Sequence, residues 1–151
     1  MTFQQIELVQ RSFEMVQPIL GPAAMMFYDR LFELDPSLRR MFRTPGEEQA
    51  RKLGQALTIV VTSIDRPDQI RGAVEALGRR HGGYGVRDQH YTTVGLALLW
   101  TLEQGLGDAF TPAVRDAWSA AYGWLALTMQ RAASSAAGET ASRSEPLAAA
   151  V

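Results

Sequence analysis

Apolar residues recur at three- and four-residue spacing along almost the whole chain, and no segment alternates as a half-buried strand would. This periodicity restricts the fold to packed helices. The breaks are equally clear. Pro18 and the Gly21-Pro22 pair separate a first stripe (Ile6, Val9, Phe13, Val16) from a second helix over about Pro22 to Glu33 with Phe27, Tyr28, Leu31 and Phe32 on one side. Thr2 with Gln5 three residues on reads as a capping box for the first helix. Asp35-Pro36 opens a short turn carrying Leu38, Met41 and Phe42. Thr44-Pro45-Gly46-Glu47 starts another helix, with Gln49, Leu53, Ala56, Leu57, Val60, Val61 and Ile64 on one stripe.

The second half follows the same grammar. A helix over about Gln69 to Arg80 presents Ile70, Val74 and Leu77, and His81 continues that face four residues on. Gly82, Gly83 and Gly85 break it and turn the backbone. Asp88 reads as the cap of a helix whose inner face is Tyr91, Val94, Gly95, Leu98 and Leu102, ended by Gly105 and Gly107. Thr111-Pro112 opens the last helix, with Val114, Trp118, Ala121, Tyr122, Leu125 and Met129 inward. From Ala113 to Met129 it should reach roughly 25 Å, enough to cross the domain. Residues 132–151 are dominated by Ala, Ser, Gly and Thr with few large apolar side chains, which predicts a flexible tail after a domain over 1–131.

Composition narrows the chemistry. Fifteen basic and 16 acidic residues leave a net charge of −1, which argues against a nucleic-acid or membrane-surface partner. The absence of cysteine removes thiol nucleophiles, disulfides and iron–sulfur or zinc–thiolate centres. Two histidines are too few for a site built from several imidazoles. A tight metal centre would need a cofactor that supplies most of the ligands itself. Nothing in the sequence resembles a leader or a membrane span, and the expected location is the cytoplasm. Taken singly, His81 reads as a satisfied core histidine, Tyr28 as a tyrosine at the core edge, Gln49 as a helix-end amide facing water, and His90 as a surface or helix-end residue pointing away from His81.

Taken in order, the segments say more. Phe27-Tyr28-Asp29-Arg30-Leu31-Phe32, Leu38-Arg39-Arg40-Met41-Phe42 and Gln49-Ala50-Arg51-Lys52-Leu53 resemble the distal side of bacterial globins. His81 to Gly85-Val86, then His90-Tyr91-Thr92-Thr93-Val94-Gly95, resembles their proximal side. Ala117-Trp118 and Ala121-Tyr122-Gly123 resemble their last helix. The nearest likeness is to single-domain globins related to the haem domain of flavohaemoglobins, over about residues 3–130.

That resemblance implies an all-α globin fold, a helical sandwich around one haem b, with His81 as the axial iron ligand. Porphyrin supplies four nitrogens, so one histidine suffices. It implies that Phe42 packs flat on the haem, that Leu53 overhangs the ligand, that Lys52 reaches a propionate, and that Tyr91 lies beside the proximal histidine. It further implies that Tyr28 and Gln49 meet above the iron as hydrogen-bond donors. The resemblance thus points to reversible O2 binding, with NO and CO as further ligands, in a protein for oxygen transport or nitric oxide chemistry. The alternative is a nitric oxide dioxygenase that forms nitrate with an external reductase. A third reading, a regulatory helical module without haem, is disfavoured by the presence of His81 and the distal pair. One departure stands out. Flavohaemoglobins bond the proximal histidine to a tyrosine and a last-helix glutamate, and counting from Tyr122 the glutamate's place falls on Ala133. The Nδ1 of His81 should then donate to a backbone carbonyl one turn back, near Leu77.

Overall fold

The computed structural model describes residues 1–44 and 46–137, and these are helical with no strand among them. Six α-helices follow in order: α1 Phe3–Val16, α2 Leu20–Leu34, α3 Gly46–Ser63, α4 Pro67–Gly83, α5 Asp88–Leu106 and α6 Pro112–Ala137. Short 3-10 turns precede α2 (Gln17–Ile19), follow it (Pro36–Met41) and follow α5 (Gly107–Ala109).

The ends of these helices are set by local chemistry. Thr2 Oγ1 accepts from the Gln5 N–H and Gln5 Oε1 accepts from the Thr2 N–H, each at 3.0 Å, so the expected capping box is formed. Asp35 Oδ1 accepts from the Ser37 N–H at 3.1 Å and from its hydroxyl at 2.6 Å, which pins the Pro36–Met41 turn that carries Met41 and Phe42 inward. Thr111 Oγ1 accepts from the Val114 N–H at 3.2 Å at the start of α6. Pro45, part of the expected opening of α3, lies outside the described residues. Three boundaries differ from the sequence reading. Gly82 and Gly83 remain in α4, and the chain turns only at Gly85, whose φ of +87° suits glycine. Asp88 is the first residue of α5 and not its cap; that task falls to His90, described below. Residues 132–137, placed in the tail from composition, continue α6, and 138–151 lie outside the described residues.

Packing pairs α4 with α6, α2 with α5 and with α3, and α1 with α6. At the α4–α6 crossing the backbones are so close that a Cβ on Gly78 would run into the main chain of Met129. Three apolar clusters result. The first joins α1 to α6 around Val9, Phe13, Val61 and Trp118, where the Trp118 indole donates to Ser12 Oγ at 2.8 Å. The second gathers Phe27, Tyr28, Leu31, Leu38 and Leu53. The third holds Ile70, Val74, Tyr91, Ala126 and Met129. The site lies where the second and third clusters face each other.

Candidate functional site: a slit with an imidazole wall

Between α2 and the Pro36–Met41 turn on one side and α4, α5 and α6 on the other runs a narrow, almost wholly apolar slit. It holds about 620 Å³ of non-atom space, part of it open to solvent. Phe27, Leu31, Met41 and Phe42 form one wall, and His81, Val94, Tyr122 and Met129 contribute to the other. A more open hollow, with about 1230 Å³ of non-atom space, lies elsewhere, between the start of α2 and the outer side of α3, lined by Met25, Ala50, Gly54 and Ile59 among others. It contains no histidine or tyrosine. The slit has less open space but brings together the residues able to hold a metal or a proton.

His81 sits at the end of α4, is 6% exposed, and lines the slit. Its Nδ1 lies 2.8 Å from the Leu77 carbonyl oxygen, one helical turn back. A carbonyl can only accept, so Nδ1 carries a proton, and in the neutral ring the lone pair then belongs to Nε2. The helix itself therefore selects the tautomer suited to a neutral imidazole ligand. The Val86 N–H donates to the His81 carbonyl at 3.1 Å and ties the turn back onto the same residue.

Tyr28, Gln49 and Leu53, expected on the opposite side, come together but do not line the slit. Gln49 is buried, and its Nε2 donates to Tyr28 Oη at 3.2 Å. Phe42 lines the slit and meets the Tyr28 ring edge-on at 5.3 Å, so it stands at the border of both groups. Burial pushes the Tyr28 phenol up to about 12, with the Gln49 hydrogen bond pulling the other way. It stays a neutral O–H over the whole physiological range. Lys52 is half-buried on α3, does not line the slit, and makes no ion pair among the described residues.

Tyr91 is buried, lines the slit, and its Oη has no hydrogen-bond partner. Burial and, to a lesser degree, the Asp88 charge push its phenol up to about 12. The Tyr91 carbonyl accepts from Tyr122 Oη at 2.7 Å, which ties α5 to α6 on the same side of the slit. Position 133 lies beside the end of α4, since a Cβ on Gly82 would stand 3.0 Å from that of Ala133. Two slit residues escaped the sequence reading. Tyr122 looked like one member of a core stripe. His90 looked like a surface or helix-end residue; it does serve the helix end, but it is 8% exposed and shares the slit with His81. The usual capping box has Ser or Thr at its head, and Arg87 at that position gave no signal.

A family model described as Globin matches residues 25–129. The chain belongs to the globin family. Among relatives, this globin is 32% identical to the flavohemoprotein of Vibrio cholerae over 130 residues, covering 83% of this chain and 33% of the relative. It is 39% identical to the flavohemoprotein of Bordetella pertussis over 104 residues, covering 66% of this chain and 26% of that one. The chain thus spans about a third or less of the length of these relatives. Among solved structures, an engineered carbene transferase from Rhodothermus marinus, whose parent is assigned as a nitric oxide dioxygenase, matches with a TM-score of 0.82 and 29% identity, covering 91% of this chain and 96% of that one. A bacterial globin of Campylobacter jejuni matches in fold with a TM-score of 0.81 at 24% identity, covering 91% and 100%.

Globin membership implies haem, and the slit is suited to it. A flat, mostly apolar ring system needs apolar walls, one imidazole of fixed tautomer and little else from the protein. Among the described residues no group of three or more His, Asp or Glu could hold a bare metal ion, so iron would have to arrive with its own nitrogen ligands.

Proposed function

We propose that this globin binds haem b in the slit through His81 and binds O2 reversibly, with NO and CO as further ligands, at the face opposite His81. The observation that carries the reading is His81 itself: buried in an apolar wall, with Nδ1 committed to the Leu77 carbonyl one turn back. When bound, haem supplies the iron at which a diatomic ligand attaches. The protein's share is positional. Phe42 and Met41 would wall the cofactor in from the 3-10 turn, Leu53 behind Phe42 would limit space for the ligand, and Lys52 would reach a propionate. Tyr28 and Gln49 supply the donors. Gln49 already donates to Tyr28 Oη, so the phenol's own proton is left to donate to the partial negative charge of a polar ligand. A backbone carbonyl is a weaker acceptor than a carboxylate, so His81 is held as a neutral imidazole. That favours reversible binding over the electron push an anionic partner would give.

A nitric oxide dioxygenase that consumes NO and O2 to form nitrate, re-reduced by an external reductase, is the second reading. The Tyr28–Gln49 pair and the assignment of the Rhodothermus marinus relative favour it. Ala133, in the place of the expected acid, weighs against it. Absorption spectra of the haem-loaded chain in ferric, ferrous and CO forms test the primary reading: a five-coordinate ferrous spectrum that shifts on CO supports it, and no Soret band after haem addition refutes it. Rapid loss of NO to nitrate by the oxygenated form, sustained with a reductase, would move the assignment to the enzyme.

A further inference from the structure

His90 is the residue of the slit that the proposed function leaves without a task. It stands in the first turn of α5, three residues after Arg87, and its Nδ1 accepts from the Arg87 backbone N–H at 2.9 Å. That bond caps the helix and also fixes the ring: with Nδ1 accepting, the proton of the neutral imidazole is on Nε2. His81 and His90 therefore enter the same slit as opposite tautomers. Nε2 of His90 has no partner among the described residues, yet it is not among the fully enclosed unpaired atoms. The residue is 92% buried and lines the slit. The other polar groups of the lining do not offer this. Tyr122 Oη is spent on the Tyr91 carbonyl, Tyr91 Oη is fully enclosed, and His81 Nδ1 is spent on the Leu77 carbonyl. His90 Nε2–H is thus an unspent donor on a buried residue that lines an apolar slit, at the positive end of a helix.

We propose that His90 anchors an anionic group at the edge of the molecule that fills the slit, and, resting on the haem reading, that this group is a haem carboxylate. A donor buried in apolar surroundings is costly unless paired, and a carboxylate at the rim of a flat apolar ring system pairs it. The orientation of the cofactor is then set at two points, the iron at His81 and a carboxylate at His90.

The test must separate the anchor from the helix cap. His90→Gln keeps both a cap acceptor and a donor. His90→Glu keeps the cap, because Glu in this position reaches back to the same N–H, but it turns the donor into a negative acceptor. The readout is the rate at which ferric haem leaves each protein for an excess of a high-affinity apoglobin, measured with haem and with its dimethyl ester. The expected result is release within about threefold of the parent for Gln and at least about tenfold faster for Glu, with the Glu effect absent for the dimethyl ester. Parent-like release from the Glu variant, or equal acceleration with the ester, would overturn the anchor while leaving haem binding intact. Failure of every form, parent included, to take up haem would refute the haem reading and the anchor with it.

Discussion

Replacing Tyr28 with Phe isolates one hydroxyl. The ring is 6% exposed and packs against Phe27 at 5.0 Å, Phe42 at 5.3 Å and Phe32 at 6.1 Å, and a phenylalanine keeps all three contacts. What is lost is the acceptor of the 3.2 Å bond from Gln49 Nε2 and a phenolic proton held firmly by burial. A hydrogen bond to a ligand bearing partial charge is worth about 1.5–3 kcal/mol in an apolar site, or roughly ten- to hundredfold in the rate of ligand release. Stopped-flow O2 dissociation, with CO as the displacing ligand, should therefore accelerate by that factor in Tyr28→Phe. CO itself carries little charge and should leave at nearly the parent rate. Gln49→Leu should show a smaller part of the effect, because the phenol remains. The loss of the internal bond costs stability of about 1 kcal/mol, which appears in thermal unfolding and not in the kinetics. An O2 release rate within about threefold of the parent would refute the reasoning, and Tyr28 and Gln49 would then be a structural pair behind Phe42.

Other expectations follow from the same geometry. Gly78→Ala drives a Cβ into the Met129 backbone and should destabilise the fold by about 3 kcal/mol, whereas Gly72→Ala on the same helix meets nothing within 4 Å and should be neutral or mildly stabilising in thermal melts. Tyr28 and Tyr91 are both pushed from 10 to about 12, so the folded state holds their protons more tightly than the unfolded chain does. Their contribution to stability is complete below pH 10 and is lost as pH rises from 10 through 12, by up to about 3 kcal/mol for the deeply buried Tyr28. Denaturant midpoints that stay level across that window would contradict this. Ala133→Glu places a carboxylate beside the end of α4 and should raise the iron–histidine stretching frequency and lower the haem reduction potential. An unchanged frequency would mean that position 133 is out of register with His81.

The helical architecture was legible because periodicity decides which face of a segment turns inward. Val9, Phe13, Val61 and Trp118 all lie where the spacing placed them. The spacing also put His81 on the buried face, and the expected bond from its Nδ1 to the Leu77 carbonyl is present. Periodicity says nothing about which faces meet. Tyr28 and Gln49 are paired across two helices, and only the likeness to bacterial globins linked them in advance. His90 was hidden because its role combines an uncommon cap with a position one residue before an obvious core tyrosine. Residues 132–137 look like the start of a linker because the chain changes there to small side chains, but alanine is the strongest helix former and carries α6 on to Ala137. The two glycines after His81 cost helix stability but do not forbid helix, and the backbone turned only where a positive φ was required.

The central claim is that His81 Nε2 holds the haem iron. The most direct measurement is the resonance Raman spectrum of the ferrous, ligand-free, haem-loaded protein, compared with His81→Gly in the absence and presence of free imidazole. The account predicts an iron–histidine stretch in the parent, at the frequency of a neutral imidazole bonded to a carbonyl, its loss in His81→Gly, and its return when imidazole is added. A stretch that persists unchanged in His81→Gly would contradict it.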